Sequence, residues 1–184
     1  MPKVLVPVAQ GCEELEAVTV IDLLRRADFQ VVTAGLDERP VRASRGTVLL
    51  PDTTLEQVLE QAFDLVALPG GLPGADHLNA DERIHRLLRE THERGGWVAA
   101  ICAAPRVLAD AGLLRGRAAT SYPEALTPAQ LEGVRYEERP VVVDGRVITS
   151  RGPGTAMDFA LALVEALAGR ERREAVEGPL MRPC

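Results

Sequence analysis

Short apolar runs alternate with amphipathic segments along the chain. Residues 3–8 are apolar, residues 13–27 carry apolar side chains at helical spacing, and residues 30–34 are apolar again. This order predicts a βαβ unit with two parallel strands. Residues 41–50 then predict two short strands separated by a polar turn, and residues 51–56 predict a turn and the start of a helix.

The middle of the chain repeats the alternation. Residues 64–68 predict a buried strand, which ends in a loop rich in proline and glycine at residues 69–74. Residues 81–94 predict a helix with a polar face, and strands follow at residues 98–101 and 118–120. The fold is therefore predicted to be α/β through the whole of this region.

The last third of the chain predicts a hairpin and a long helix. Residues 141–149 are two β-branched arms around an Asp-Gly turn, and residues 155–167 form a helical pattern that Gly169 is expected to end. No linker, repeat or low-complexity tract divides the chain. We therefore expect one domain over residues 1–184, with a doubly wound and mostly parallel sheet.

Composition narrows the class of protein. The chain has 184 residues, of which 46% are hydrophobic, and a net charge of −6 with both signs interspersed, which argues against nucleic acid as a partner. No stretch approaches the roughly 20 apolar residues of a membrane span. The first residues lead directly into a strand without an export signal, so we expect a cytoplasmic protein that does not bind membranes.

Cys102 lies where a predicted buried strand meets a predicted helix, in a segment that ends with Pro105. Unpaired N–H groups and the positive end of a helix dipole at such a joint favour a thiolate near neutral pH. An unpaired cysteine elsewhere is usually buried and inert, so the prediction depends on this position. In doubly wound folds ligands bind outside the carboxyl ends of the strands, where Cys102 and the loop containing Gly70 and Gly71 are expected to converge.

Two further stretches are candidates for chemistry. Glu16 belongs to an acidic stretch at the start of the first helix, and burial beside a thiolate would favour its protonated form, which donates a hydrogen bond to sulfur. The alternative is a cluster of solvated glutamates at a helix start. Gly70 and Gly71 form either an ordinary loop with positive φ or a close backbone approach whose N–H groups hold an oxyanion.

The remaining cysteines and histidines carry no predicted role. Cys12 lies on a loop and Cys184 is the last residue, and no pair of cysteines has the spacing of a disulfide framework or a zinc site. His77, His85 and His92 are interpreted as part of a solvated helix face. No phosphate-binding glycine motif follows a strand, so neither a cofactor nor a metal is predicted.

Four segments together carry a family resemblance: residues 11–16 (GCEELE), 68–71 (LPGG), 99–105 (AAICAAP) and 149–155 (TSRGPGT). The chain resembles the ThiJ/PfpI superfamily, in the branch of the parkinsonism-associated protein deglycase and its bacterial relatives. The resemblance covers nearly the whole chain. It implies a flavodoxin-like sandwich with helices on both faces and a nucleophile elbow, a homodimer, and a nucleophilic cysteine at Cys102.

The resemblance also implies roles for other residues. Glu16 matches the protonated partner of the thiolate. Backbone groups that line the site are expected at Gly70, Gly71 and Ala103. Arg26 and Arg45 are expected near the dimer contact.

Two positions depart from the family's patterns. Ala103 stands where the protease-like branch has a histidine directly after the cysteine, which disfavours a cysteine peptidase. Tyr122 stands where the deglycase has a histidine near its cysteine. Because a phenol is a poor base at neutral pH, proton transfer is expected to fall mainly to Glu16, with Tyr122 lining the site.

The leading hypothesis is a glyoxalase or deglycase that acts on small α-oxoaldehydes, such as methylglyoxal and glyoxal, or on their early adducts, in stress response and detoxification. Cys102 would attack the aldehyde and Glu16 would move the proton. The alternative is a redox-sensing stress protein or chaperone whose Cys102 is oxidised to a sulfinate. A scaffold without turnover is a third interpretation.

Overall fold

The computed structural model describes residues 1–182. Its strands are β1 (Lys3–Val8), β2 (Gln30–Gly35), β3 (Val41–Arg42), β4 (Val48–Leu49), β5 (Thr53–Thr54), β6 (Leu65–Leu68), β7 (Trp97–Ile101), β8 (Ala118–Ala119), β9 (Arg135–Tyr136), β10 (Val141–Asp144) and β11 (Val147–Ser150). Its α-helices are α1 (Glu14–Arg26), α2 (Gly74–Ala80), α3 (Glu82–Glu93), α4 (Pro105–Asp110) and α5 (Ala156–Glu177).

Within residues 1–182, seven strands form the central sheet in the order β10-β11-β7-β6-β1-β2-β5. The neighbours pair in parallel except β10 and β11, which form the predicted antiparallel hairpin. The carboxyl ends of β1, β6 and β7 therefore meet at one edge of the sheet. The predicted α/β fold with a mostly parallel sheet is confirmed.

Helices cover both faces of the sheet because each strand buries side chains on both sides. On one face, α1 and α5 pack against alternate residues of β1, such as Val4 and Val6. On the other face, α2, α3 and α4 pack against the residues between them, such as Leu5. Successive side chains of β1 therefore point to opposite faces of the sheet and belong to two separate hydrophobic cores.

Helix starts follow the side chains that cap them. The carboxylate of Glu13 accepts a hydrogen bond from the Leu15 N–H at the start of α1 (3.3 Å), and Asp81 accepts from the Arg83 N–H at the start of α3 (3.0 Å). Such caps satisfy N–H groups that have no partner inside the helix. The predicted bounds of both helices are confirmed to within one residue at each end.

Three local predictions need correction. The predicted strand at residues 118–120 lies outside the main sheet, because β8 pairs with β9 in a separate small sheet. Residues 53–54, expected in a turn, add β5 to the edge of the main sheet. Gly169 does interrupt the last helix with a φ of +83°, but the chain resumes helical geometry and α5 continues to Glu177.

Among residues 1–182, no helix combines the length and the apolar character that a membrane crossing requires.

Candidate active site

Cys102 occupies a sharp turn between the end of β7 and the start of α4. Its φ is +64°, in the left-handed region that residues other than glycine rarely adopt. The Cys102 N–H donates to the Ser150 carbonyl (3.0 Å), and the Cys102 carbonyl accepts from the Tyr122 N–H (2.9 Å). A strained strand-to-helix turn of this kind is a nucleophile elbow. The residue is 9% exposed, so its sulfur is largely shielded from water.

Backbone N–H groups from two segments point at the Cys102 sulfur. One belongs to Gly71, in the loop after β6, and the other to Ala103, the next residue of the elbow; both hydrogen bonds lower the pKa of the thiol. Donors grouped around a reacting atom also stabilise negative charge that develops on an attached oxygen. The structure thus brings Gly71 and Ala103 together at the sulfur, and their expected part in holding an oxyanion stays a prediction.

Glu16, in the first turn of α1, is fully buried beside Cys102. Its Oε2 accepts a hydrogen bond from the Gly70 N–H (2.9 Å), and its carboxyl lies close enough to the Cys102 thiol for each group to shift the pKa of the other. Its Oε1 is buried without a hydrogen-bond partner among residues 1–182. The structure therefore excludes the alternative in which Glu16 is a solvated helix-start residue.

Gly70 and Gly71 are required by close packing. A Cβ on Gly70 would lie 2.6 Å from the Cβ of Cys102 and 2.8 Å from Oε2 of Glu16. Gly71 has a φ of +86°, and a Cβ there would overlap the backbone nitrogen of Glu13. Only glycine fits at these two positions, which is why the thiol and the carboxyl can meet.

The thiol and the carboxyl titrate as a pair. Burial raises the pKa of Glu16 to about 7, although hydrogen bonds from Gly70 and Cys102 act in the opposite direction. Burial and the charge of Glu16 together raise the pKa of Cys102 to about 12. Between these values the two groups hold one proton and one negative charge between them. Which of the two groups holds the proton decides whether Cys102 is a thiolate near neutral pH, so the expected thiolate beside a protonated Glu16 stays a prediction.

Similarity to known proteins identifies the family of this chain. Residues 2–166 match the model of the DJ-1/PfpI family. The chain belongs to the DJ-1/PfpI family. It is 45% identical to protein dj-1beta of Drosophila melanogaster over 179 residues, which cover 96% of this chain and 95% of that protein. It is 38% identical to the glutathione-independent glyoxalase DJR-1.2 of Caenorhabditis elegans over 173 residues, covering 93% and 91% of the two chains.

Solved structures agree with this DJ-1/PfpI assignment. The crystal structure of Drosophila melanogaster DJ-1beta superposes with a TM-score of 0.94 at 44% identity, covering 100% of this chain and 99% of that one. Oxidized Toxoplasma gondii DJ-1 superposes with a TM-score of 0.92 at 36% identity, covering all of both chains. The predicted family resemblance is confirmed.

Tyr122 contacts the elbow of this DJ-1/PfpI member through its backbone. Its backbone is anchored to Cys102, whereas its side chain is 53% exposed and lies beside Gly152. The phenol forms no hydrogen bond within the described part of the chain. The structure therefore places Tyr122 next to the elbow without giving its hydroxyl a contact with the sulfur.

Arg26 and Arg45 lie on the surface. The guanidinium of Arg26 pairs with Asp22 (2.7 Å), and the backbone N–H of Arg45 donates to the carboxylate of Glu14 (3.0 Å). The segments around these arginines also expose four apolar side chains: Leu15, Val18, Val48 and Leu50. An apolar surface flanked by arginines fits a protein interface. The homodimer and the part that both arginines play in it stay a prediction.

The histidines take no part in the site. His85 is only 6% exposed, and its Nε2 lies 2.8 Å from the carbonyl oxygen of Asn79, so its assignment to a solvated face is wrong. The carbonyl of Asn79, near the end of α2, contacts this ring, and periodicity along α3 could not show that contact. His92 is half-buried, and burial and the charge of Arg117 lower its pKa. His77 is exposed, as predicted.

The other cysteines differ from Cys102. Cys12 is fully buried, and burial followed by the charge of Glu14 raises its pKa to about 11. Cys184 lies outside the described residues. In residues 1–182, no group of three or more His, Cys, Asp or Glu side chains is placed to hold a metal ion.

Ser150 is a supporting residue whose role sequence reasoning missed. Its carbonyl holds the Cys102 N–H, and its hydroxyl donates to the Pro140 carbonyl (2.7 Å) and lies 2.7 Å from Oγ1 of Thr155. These contacts fix the end of β11 against the elbow. The segment at residues 149–155 supported the family resemblance, but nothing in its pattern indicated a contact with Cys102.

Proposed function

We propose that this protein is a glutathione-independent glyoxalase that converts small α-oxoaldehydes, such as methylglyoxal, into 2-hydroxy acids. The observation that carries the proposal is the position of the Cys102 sulfur, which lies between the Glu16 carboxyl and the N–H groups of Gly71 and Ala103. The similarity to a glutathione-independent glyoxalase of Caenorhabditis elegans supports it.

The reaction begins with addition of the thiol to the aldehyde. The reactive form has the shared proton on Glu16 and the negative charge on Cys102. The sulfur forms a bond to the aldehyde carbon, the carbonyl π bond breaks, and the resulting oxyanion takes the proton from Glu16 to give a hemithioacetal and a Glu16 carboxylate. The N–H groups of Gly71 and Ala103 stabilise the oxyanion while it exists.

Glu16 then moves a proton between two adjacent carbons. Its carboxylate removes the hydrogen of the former aldehyde carbon and returns a proton to the neighbouring carbon through an enediol. The former aldehyde carbon is now a thioester and the ketone is an alcohol. Water cleaves the thioester, which releases lactate from methylglyoxal and restores Cys102. The sum is methylglyoxal plus water to lactate, with no external oxidant or reductant.

The decisive experiment follows lactate formation from methylglyoxal without glutathione. Cys102→Ser and Cys102→Ala are expected to lower kcat/KM by about 1000-fold or more, because both remove the sulfur nucleophile. Cys12→Ala is the matched control, since it removes a buried thiol that touches no reacting group, and its activity is expected to stay near that of the parent protein. Circular dichroism checks folding. Lactate production at the parental rate in both Cys102 variants would overturn the proposal.

Early adducts of these aldehydes belong to the same proposal. Hemithioacetals and hemiaminals form reversibly and return free aldehyde, so an enzyme that consumes the aldehyde also depletes them. Deglycation is then a consequence of turnover at Cys102 and requires no second site.

A second candidate function is redox sensing at the same cysteine. We infer it from the unpartnered Oε1 of Glu16, which is buried beside the sulfur and is available to a sulfur-bound oxygen. Two equivalents of hydrogen peroxide oxidise a thiolate first to the sulfenate and then to the sulfinate, and each peroxide is reduced to water. Mass spectrometry after mild peroxide treatment is expected to show two added oxygens on Cys102 before Cys12. Oxidation of Cys12 first would contradict this function.

A further inference from the structure

A cleft of about 600 Å³ lies against the two segments that hold the elbow, and Cys102 is not among its lining residues. Its lining residues flank the two backbone contacts of Cys102. Arg151 directly follows Ser150, and Ser121 and Pro123 stand on either side of Tyr122. The cleft therefore borders the segments that hold the nucleophile.

The walls of this cleft are mainly apolar. Leu126, Pro128 and Leu131 contribute hydrocarbon surface. Two hydroxyl groups of the lining already form hydrogen bonds within the protein. The Tyr136 hydroxyl donates to the Ser121 carbonyl (3.1 Å), and the Thr127 hydroxyl accepts from a backbone N–H (3.3 Å). Such a surface suits an aliphatic chain, and binding pockets usually combine it with one or two polar anchors.

Arg151 supplies the anchor. It is the one cation that lines the cleft, it is half-buried, and its guanidinium forms no ion pair with any side chain of residues 1–182. Two acidic residues of the lining, Glu124 and Glu138, are exposed to solvent and do not pair with it. A partly desolvated guanidinium without a partner binds a carboxylate with two parallel hydrogen bonds.

We propose that this Arg151 cleft is a second substrate subsite, which holds the distal carboxylate of a larger α-oxoaldehyde. A short aliphatic chain packs against Leu126, Pro128 and Leu131, the carboxylate binds Arg151, and the aldehyde reaches Cys102. Arg151 is then a specificity-determining residue of the glyoxalase reaction proposed above, on which this inference rests.

A suitable probe is 4,5-dioxopentanoate, an α-oxoaldehyde whose carboxylate is separated from the ketone by two methylene groups. The aldehyde carbon is oxidised to a carboxylate, the neighbouring ketone is reduced to an alcohol, and one water is consumed. The product is 2-hydroxyglutarate. The same steps at Cys102 and Glu16 serve both substrates, so that only the binding of the distal group differs.

The test compares kcat/KM for 4,5-dioxopentanoate with kcat/KM for methylglyoxal. The parent protein is expected to prefer the carboxylate-bearing substrate. Arg151→Gln is expected to lower the ratio of the two values by about tenfold to 100-fold, the usual range for loss of a charge-assisted contact. Arg151→Lys keeps the charge without the paired geometry and is expected to give an intermediate ratio. A merely structural defect lowers both values and leaves their ratio unchanged.

A matched control and a binding measurement separate this inference from the proposed function. Glu138→Gln removes an exposed negative charge from the same cleft and is expected to raise the ratio slightly. Glutarate binding, measured by calorimetry, is expected to weaken by about tenfold or more in Arg151→Gln. Equal glutarate binding by both proteins, or an unchanged ratio, overturns the subsite. If neither methylglyoxal nor 4,5-dioxopentanoate yields a hydroxy acid, the proposed function is overturned. The glutarate measurement then still shows whether Arg151 binds a carboxylate.

Discussion

Cys12 and Cys102 each follow a parallel strand and precede a helix, yet their surroundings differ. Cys102 has a φ of +64° and two N–H groups at its sulfur. Cys12 is completely buried and is held by the Ala9 carbonyl at its N–H (3.0 Å) and by the Ser44 N–H at its carbonyl (2.8 Å). Position in the topology is therefore not sufficient for a reactive thiol, because the local backbone decides what the sulfur meets.

Glycines make this difference between the two loops. Gly70 leaves room for Cys102 and Glu16 to meet, whereas Gly74 lets the start of α2 pack directly on the backbone of Cys12. Gly70 is thus required for the contact between Cys102 and Glu16, whereas Gly74 is required for the packing of α2 on Cys12. Substitution at each position separates the two purposes.

The largest effect is expected from Gly70→Ala. The new Cβ would lie 2.6 Å from the Cβ of Cys102 and 2.8 Å from Oε2 of Glu16, so that the thiol and the carboxyl must move apart. We expect lactate formation from methylglyoxal to fall by about 100-fold, since a displacement of about 1 Å at a reacting group has that effect. Gly178→Ala is the control, because its φ is −52° and its Cβ would meet open space. Parental turnover in Gly70→Ala would show that the close approach is not needed.

The next effect is a loss of stability in Gly74→Ala. Its Cβ would lie 2.6 Å from both the Cα and the nitrogen of Cys12. We expect the free energy of unfolding in urea to fall by about 2 kcal/mol, as for other overpacked positions. The kcat of the folded protein is expected to fall less than in Gly70→Ala. A reversed order of the two kcat values would break the comparison.

The smallest change is expected in the pH dependence of Cys102 alkylation when Glu16 is replaced. The direction of that change shows which of the two groups holds the proton. If the proton lies on Glu16, its O–H stabilises the thiolate, so Glu16→Gln is expected to raise the pH midpoint of Cys102 alkylation by about 1 unit and Glu16→Leu by more. If Glu16 is ionised instead, removal of its charge lowers that midpoint. Cys12 serves as an internal control in the same experiment, since its alkylation is limited by opening of the structure.

Much of the fold could be predicted from local pattern. The strands at residues 3–8 and 64–68 were visible as apolar runs, and the Asp-Gly turn identified the hairpin of β10 and β11. The errors arose where distant contacts decide the outcome. Ala118 and Ala119 pair with β9, a partner that sequence pattern did not reveal, and the buried ring of His85 contacts the end of α2 at Asn79.

The candidate site was only partly predictable for the same reason. The elbow follows from an apolar run, small residues and Pro105. Glu16 was a candidate from its place at the start of the first helix, and the family resemblance supported that role. The depth of burial depends on the contact between Glu16 and Gly70, which are 54 residues apart. The sequence thus indicated that Glu16 and Cys102 compete for one charge, whereas the Gly70 contact that buries the carboxyl could not be foreseen from the order of residues.

The backbone hydrogen bonds that hold Cys102 have a consequence for how this fold can vary or be re-engineered. The elbow is held by two main-chain hydrogen bonds, from the Cys102 N–H to the Ser150 carbonyl and from the Tyr122 N–H to the Cys102 carbonyl. Any residue type except proline at positions 102 and 122 can donate them. The backbone of the elbow therefore does not depend on which side chain stands at position 102, whereas Gly70 and Gly71 beside it are fixed by close packing. A glycine at position 102 would relieve roughly 1 kcal/mol of backbone strain while removing the sulfur. The molecule thus keeps its reactive group at the expense of a small part of its own stability.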